Sequence, residues 1–331
     1  MKRAFAGTGY INKIHAFAAR NCGADLTAVV NHKRESMATF ADQFDITHRY
    51  DSVEALLQAD VAEALVVSTP NYLHASQTIA ALQAGVHVLV EKPMAMDALE
   101  AERMWETAEK SGAKLMVAHC WRFDEEALWL KSQLAGIGNL IRTKSYGVHV
   151  QWGPSGWFTQ RQFAGGGAMA DMGVHAVDTT RFLLGDPQPI SVYANIGTYY
   201  KDFNVDDTGV IIVKWDNGVI SYIESGWWQP YCDGPAAATR LYGRAGYASL
   251  FPTRIEKLTG TQDGMDVNDG GFAFPRKEHA PQIMYDSQMN YFIQCITENK
   301  RPVPGGAEGM TNMKVVDAAY KSAAIGEVVN L

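Results

Sequence analysis

Hydrophobic and polar positions follow two different rhythms along the 331 residues of this chain. Before residue 120, apolar runs at 2–6, 26–30, 64–68, 87–90 and 115–118 alternate with segments of helical spacing at 10–21, 34–44, 72–84 and 98–110. Short apolar strands that alternate with helices are typical of a parallel sheet, because each crossover between parallel strands needs a connecting helix. Residues 1–120 are therefore predicted to form an α/β domain with a doubly wound parallel sheet.

The second part of the chain favours longer strands, which are predicted at 140–151, 190–199, 208–215 and 219–228. Asn217-Gly218 separates the last two, and an Asn-Gly pair between β-rich runs indicates a hairpin. Helices are predicted at 124–134, 168–184, 286–298 and 311–325, and the polar segment 259–281 is predicted to be a loop. Residues 121–331 are therefore predicted to form an α+β domain with a large, mostly antiparallel sheet.

Composition narrows the classes of partner. The chain carries 29 Lys and Arg against 36 Asp and Glu, a net charge of −7, which disfavours a nucleic-acid partner. Its four cysteines are scattered without a C-x-x-C pair, so neither a metal site nor a disulfide framework is predicted. No apolar stretch reaches the ~20 residues of a transmembrane helix, and the N-terminus lacks the apolar region of a signal peptide. We therefore expect a cytoplasmic protein with no membrane partner.

A glycine-containing turn follows the first predicted strand. Gly7 and Gly9 stand where the strand passes into the first helix, as in turns that bind a dinucleotide pyrophosphate at a helix N-terminus. The third glycine of such turns, which serves helix–strand packing, is replaced here by Asn12. The residues predicted to contact the phosphates are Gly7, Thr8, Gly9, Tyr10 and Ile11.

The end of the second predicted strand bears on the choice of dinucleotide. An acidic residue about 20 positions after the turn would bind the ribose 2′-hydroxyl of NAD, but this strand ends in Asn31, His32, Lys33 and Arg34. Asn31 does not repel a 2′-phosphate, and Lys33 or Arg34 can pair with one. These four residues are predicted to lie at the cofactor, with NADP preferred over NAD.

Three further segments carry polar side chains. Thr69-Pro70-Asn71 with His74 follows the third apolar run, and Glu91-Lys92-Pro93 follows the fourth, at strand ends where ligands bind in parallel sheets. The third segment is a run of three glycines, 165–167, followed by Asp171-x-Gly173-x-His175-x-x-Asp178. Asp171 and His175 are four residues apart, so a helix places them on one face.

In this order and spacing, the segments resemble the glucose–fructose oxidoreductase, inositol dehydrogenase and MocA family of NAD(P)-dependent dehydrogenases. The resemblance spans nearly the whole chain. It implies a Rossmann domain, a substrate-binding and oligomerisation domain, and a homodimer or homotetramer. The implied reaction oxidises a secondary alcohol of a sugar, a sugar derivative or a cyclitol, or reduces the ketone. The alternatives are an NAD-dependent glycoside hydrolase that works by transient oxidation, and a non-catalytic dinucleotide-sensing protein.

The resemblance also implies roles for single residues. His175 would remove the hydroxyl proton, Asp171 would orient the substrate, and Lys92 would stabilise charge on the reacting oxygen. Arg122 is expected to contact the substrate, with Trp121 as a further candidate, and Trp157 is expected there because aromatic faces suit sugar rings. The other residues expected at the cofactor are Thr69, Pro70, Asn71, His74, Glu91 and Lys92.

Overall fold

A computed structural model gives the structure of residues 1–231, 234–262, 265–268, 272–273 and 282–331. Its internal contacts divide the chain into two compact units, Met1–Cys120 with Pro281–Met313, and Trp121–Ala280 with Lys314–Leu331. The sequence prediction assigned every residue after 120 to the second domain, so the two divisions differ for 281–313. The physical reason is that the helix Gln282–Thr297 packs on the helix Tyr10–Asn21, and helical spacing alone does not reveal which neighbour a helix covers.

Six parallel strands form the sheet of the first unit. They are β1 Lys2–Ala6, β2 Asp25–Val30, β3 His48–Tyr50, β4 Ala64–Val67, β5 His87–Val90 and β6 Leu115–Val117. Their order across the sheet is β3-β2-β1-β4-β5-β6, with every neighbouring pair parallel. The strand order reverses between β1 and β4, as in doubly wound sheets, which bind ligands beyond the carboxyl ends of the strands at this point. The predicted α/β class is thereby confirmed.

Ten α-helices lie within the described residues. They are α1 Tyr10–Asn21, α2 Arg34–Gln43, α3 Val53–Gln58, α4 His74–Gln83, α5 Ala98–Ser111, α6 Glu125–Gln133, α7 Arg161–Ala164, α8 Val174–Leu184, α9 Gln282–Thr297 and α10 Gly306–Ile325. Helix α5 shows how local sequence sets the ends, because the Asp97 carboxylate accepts the N–H of Glu100 (2.8 Å) and Gly112 ends the helix with a φ of 72°. None of these helices has both the length and the apolar character needed to span a bilayer.

A second sheet dominates the second unit. Its strands are β7 Leu140–Val150, β8 Pro189–Gly197, β9 Thr208–Trp215, β10 Ile220–Gln229, β11 Ala237–Gly243, β12 Gly246–Leu250, β13 Arg254–Gln262, β14 Met265–Asn268, β15 Phe272–Ala273 and β16 Val329–Asn330. Their order is β14-β13-β12-β11-β7-β10-β9-β8-β16, with β15 beside β13. Apart from the parallel pair β7 and β10, the neighbours in this sheet run antiparallel. The predicted mostly antiparallel α+β architecture is confirmed.

The predicted loop at 259–281 was wrong where the structure describes it. Residues 259–262 continue strand β13, and β14 and β15 follow within the same segment. The part of β13 in this segment is polar, and β14 and β15 have only four and two residues, which is too short for a periodic pattern to mark them in the sequence. The rest of the predicted loop lies outside the described residues.

Two buried arginines differ in how their charge is compensated. Arg3 in β1 is fully buried, and its three nitrogen atoms have no hydrogen-bond partner within the described part of the chain. Burial lowers the pKa of Arg3 to about 10, although the charge of Glu63 opposes this shift. Arg122, by contrast, donates to both oxygens of Asp178 (2.8 and 2.7 Å) and of Asp186 (3.0 and 2.7 Å).

Replacement of these arginines by methionine is expected to change stability in opposite directions. Arg3→Met should raise the free energy of unfolding by about 1–2 kcal/mol, because it removes a buried charge that lacks hydrogen bonds. Arg122→Met should lower it by about 3–5 kcal/mol, because it leaves two carboxylates without their partner. Urea denaturation followed by circular dichroism measures both changes. A less stable Arg3→Met protein would show that the guanidinium is stabilised in the fold.

Candidate active site

The glycine turn after β1 is shaped for close approach of a ligand to the backbone. Gly7 has a φ of 97°, and a Cβ at this position would lie 2.8 Å from the carbonyl oxygen of Ser68, so only glycine fits. A Cβ at Gly9 would meet nothing within 4 Å, so the surface beside it is open. Helix α1 begins at the next residue, Tyr10. An open backbone at a helix N-terminus suits the pyrophosphate of a dinucleotide.

Asn12 occupies the position of the third glycine and forms hydrogen bonds to the turn. The side chain is fully buried, and its Nδ2 donates to the carbonyl oxygens of Ala6 (3.2 Å) and Gly7 (2.6 Å). The amide therefore joins the first turn of α1 to the end of β1. It stabilises the same helix–strand packing that the third glycine serves in the common motif.

A neutral hydrogen-bond network occupies the end of β2, where NAD-binding sheets often place a carboxylate. Asn31 donates to the hydroxyl oxygens of Thr8 and Ser36, and its Oδ1 accepts the N–H of Lys33 (3.1 Å). The exposed Arg34 lies 3.5 Å from Asp51 in a loose, exposed ion pair. Sequence reasoning missed Ser36, whose only signal is a hydroxyl in the first turn of α2.

His74 lies between the loop after β4 and the loop after β5 and contacts both. Its Nδ1 lies 2.9 Å from the carbonyl oxygen of Pro93, and its Nε2 lies 2.8 Å from that of Thr69. The ring is 1% exposed, and burial lowers the pKa of His74, although the two carbonyl groups oppose this shift. Both ring nitrogens face protein carbonyls, which gives His74 a role in positioning the loops, while its contact with the cofactor remains a prediction.

The loop after β5 holds Glu91 and Lys92. Glu91 is buried, with Oε1 2.8 Å from Nε2 of His15 and Oε2 accepting the backbone N–H of Lys92 (3.0 Å). Both carboxylate oxygens thus have a partner in the protein, and the contact of Glu91 with the cofactor remains a prediction. The Lys92 side chain is partly exposed at the carboxyl end of the strand.

In the second unit, a tightly packed glycine run leads into the Asp171 segment. A Cβ at Gly167 would lie 1.8 Å from the carbonyl oxygen of Asp206, so no larger residue fits. The buried Asp206 carboxylate accepts the N–H groups of Gly167 and Met169 (both 2.8 Å) and the hydroxyl of Tyr320 (2.7 Å). Burial raises the pKa of Asp206, and these three donors oppose the rise.

Asp171 and His175 lie on a continuous helical segment, although its first part is a π-helical turn, Met169–Gly173, rather than the predicted α-helix. The Asp171 carboxylate accepts the indole N–H of Trp227 (2.9 Å) and lies 3.7 Å from Nε2 of His149. The His175 ring stacks on Trp121, with the ring centres 4.5 Å apart. His149 and Trp227 escaped the sequence prediction because no motif marks them.

Arg122 is paired with two carboxylates, and its contact with a substrate remains a prediction. Its guanidinium is 3% exposed and donates four hydrogen bonds to Asp178 and Asp186, which gives it a structural role. Trp157 stacks on Phe158, with the ring centres 3.8 Å apart, and is partly exposed. Its contact with a substrate remains a prediction.

Two family models match this chain. The NAD-binding Rossmann fold of the GFO/IDH/MocA oxidoreductase family matches residues 1–119, and the GFO/IDH/MocA C-terminal domain matches residues 136–249. The chain therefore belongs to the GFO/IDH/MocA family of oxidoreductases, as the motifs predicted. The open glycine turn and the polar loops after β4 and β5 fit an NAD(P) cofactor. No group of three or more His, Cys, Asp or Glu that could hold a metal occurs among the described residues.

Characterised relatives are similar over their full length. D-xylose 1-dehydrogenase (NADP(+)) 2 of Haloferax volcanii is 28% identical, over 98% of this chain and 97% of that protein. D-glucoside 3-dehydrogenase of Escherichia coli is 27% identical, over 100% and 97%. Levoglucosan dehydrogenase in complex with NADH and levoglucosan shares the fold, with a TM-score of 0.88, 20% identity and coverage of 100% and 99%.

Removal of the Asn12 side chain is expected to weaken dinucleotide binding. Asn12→Ala should raise the Kd of NADP about tenfold, or ~1.4 kcal/mol, because the carbonyl oxygen of Gly7 loses its side-chain donor and the turn loses its link to α1. Titration of intrinsic fluorescence measures the Kd, and Asn21→Ala at the exposed far end of α1 is the matched control. Equal Kd values for Asn12→Ala and the wild-type protein would mean that the turn keeps its shape without the amide.

Proposed function

We propose that this protein is an NAD(P)-dependent dehydrogenase or ketoreductase that acts on a secondary alcohol of a sugar, a sugar derivative or a cyclitol. The observation that carries the proposal is the occurrence of Lys92 after β5 of a dinucleotide-binding sheet together with the Asp171–His175 helical segment in one chain of this family. The names of the relatives, a xylose dehydrogenase and a glucoside dehydrogenase, support the sugar class of substrate.

The residues divide the chemistry of alcohol oxidation between them. When bound, the nicotinamide accepts the hydride at C4. His175 takes the hydroxyl proton, so that a secondary alcohol and NAD(P)⁺ give a ketone, NAD(P)H and one proton. Lys92 donates a hydrogen bond to the reacting oxygen and stabilises its developing negative charge. In the reverse direction His175 returns the proton to the ketone.

The surroundings of Asp171 and His175 support these roles. The indole N–H of Trp227 fixes one oxygen of the Asp171 carboxylate, so the carboxylate can accept a substrate hydroxyl in a constant orientation. Stacking on Trp121 holds the plane of the His175 ring, which fixes the direction in which its nitrogens meet a proton. Trp157, which is partly exposed, offers a flat surface for a sugar ring.

We propose a preference for NADP over NAD. Asn31, Thr8 and Ser36 supply neutral hydrogen-bonding groups, and the exposed side chains of Lys33 and Arg34 supply positive charge. The NADP(+) in the name of the Haloferax volcanii relative agrees with this preference.

We also propose that the protein is a cytoplasmic homodimer or homotetramer, in which residues 1–120 bind the cofactor and 121–331 bind substrate and partner subunits. One face of the second sheet is covered by α8 and α10 around Val177, Ile211 and Val315. The opposite face exposes Tyr193 and Ile212, which pair across neighbouring strands. Such an apolar face suits contact with a second copy of the chain.

The decisive experiment follows the absorbance of NADPH and NADH with a panel of sugars and cyclitols. The wild-type protein should reduce NADP⁺ or NAD⁺ with at least one compound, with a lower Kd for NADP⁺. Lys92→Ala and His175→Ala should lower kcat at least 100-fold, because each loses a group that acts on the transition state. Wild-type turnover in both variants would overturn the site, and glycoside cleavage without net NADPH formation would identify the hydrolase alternative.

A second test addresses the hydrogen bond from the Trp227 indole to Asp171. Trp227→Phe keeps the ring but removes the indole donor, so kcat/KM should fall about tenfold. The matched control is Trp215→Phe, which removes a buried indole donor to Ser221 (2.7 Å) elsewhere in the same sheet. Steady-state kinetics should show wild-type activity for the control at a temperature where both variants are folded. Equal losses in the two variants would contradict a specific effect on Asp171.

A further inference from the structure

A buried histidine in α1 stands behind the loop that carries Lys92. The His15 ring is fully buried, and its Nε2 lies 2.8 Å from Oε1 of Glu91. Its Nδ1 has no hydrogen-bond partner within the described ranges. This arrangement favours the tautomer that carries its proton on Nε2, which donates to the carboxylate. The other oxygen of Glu91 accepts the backbone N–H of Lys92.

The Glu91 carboxylate is ionised in a place where burial disfavours charge. Burial by itself raises the pKa of Glu91, but the hydrogen bond from His15 and the charge and N–H of Lys92 outweigh it and lower the pKa below its ordinary value. The groups that face this carboxylate are His15 from α1, Lys92 on its own loop, His74 from α4, Cys120 after β6 and Tyr285 from α9.

We propose that His15 is a positioning residue that acts through Glu91 on Lys92. The inference rests on the proposed function of Lys92 and adds a residue to it. A fixed carboxylate anchors the backbone from which the Lys92 side chain extends, and it places a negative charge beside the ammonium group. Without the His15 donor, burial drives Glu91 toward its neutral form. The negative charge beside Lys92 is then lost, and the hydrogen bond from the Lys92 N–H becomes weaker.

The His15 ring contacts Glu91 and not the open surface of the glycine turn, so its role can be tested apart from cofactor binding. The imidazole points at Glu91 inside the first unit, whereas the glycine turn presents its open surface at Gly9. Loss of His15 should therefore lower kcat and leave the Kd of NADP and the KM of the substrate nearly unchanged. A general loss of folding would instead lower the concentration of active enzyme and the stability, with no change in pH dependence.

The kinetic test compares four proteins: wild type, His15→Leu, His15→Gln and His87→Leu. His15→Leu should lower kcat at least tenfold, whereas the amide of His15→Gln should restore most of it, because it still offers a donor to Glu91. The deficit of His15→Leu should be larger at pH 6 than at pH 9, since a higher pH returns Glu91 to its carboxylate form. His87 lies at the opposite end of β5 and accepts the N–H of Lys114 (2.9 Å), so His87→Leu should keep the wild-type kcat.

A second readout does not depend on turnover. Reductive methylation with ¹³C-formaldehyde labels the lysines, and the Lys92 signal is assigned by its absence in Lys92→Arg. Its titration midpoint in the cofactor-free protein should fall by about one pH unit in His15→Leu, because the carboxylate that favours the ammonium form is lost. If no substrate is turned over but this midpoint shifts, the proposed function fails and the inference stands. Unchanged kcat together with an unchanged midpoint would overturn the inference.

Discussion

The candidate site depends on one physical constraint, that a polar group removed from water must find a partner inside the protein. The ladder of sheet hydrogen bonds reaches only the first residue of these loops, as at Gly7 and Glu91, so the remaining loop residues need other partners. In the first unit, buried side chains supply that support: Asn12 holds the glycine turn, His74 joins the loops after β4 and β5, and Glu91 anchors the backbone of Lys92. Buried polar side chains thus fix the shape of the loops at the carboxyl ends of the strands.

The second unit applies the same constraint to the helical segment that carries Asp171. The Asp206 carboxylate accepts two backbone N–H groups at the start of this segment. The backbone at Asp206 can approach residue 167 this closely because residue 167 is glycine. A π-helical turn follows at once, and such turns are frequent at functional sites. The wider turn directs Asp171 to the indole of Trp227. Asp171 is thus held at both ends, by the indole of Trp227 at its carboxylate and by the carbonyl oxygen of Gly167 at its backbone N–H (2.9 Å).

Sequence patterns were sufficient for the fold class and for the placing of the motifs, because apolar runs and glycine positions are consequences of burial and backbone geometry. They were insufficient where a side chain has two possible partners. Arg122 has the charge to bind a substrate, but two aspartates distant in sequence engage it. His74 lies beside the expected cofactor loop, but both of its nitrogens face carbonyl groups of the protein. Which partner a polar side chain meets is decided by tertiary packing, which spacing does not encode.

At the end of β2, Asn31 stands where many NAD-binding sheets have a carboxylate, and its neighbours decide what this change does. A carboxylate there would repel a 2′-phosphate and bind a ribose hydroxyl, whereas the amide of Asn31 and the hydroxyls of Thr8 and Ser36 both donate and accept hydrogen bonds. A neutral network of this kind does not distinguish the two cofactors by charge, so the proposed preference rests on Lys33 and Arg34. Because those cations are exposed, and Arg34 is only loosely paired with Asp51, their attraction is screened by water and salt. The preference proposed for NADP would therefore be a modest one, because screened charges exclude NAD only weakly.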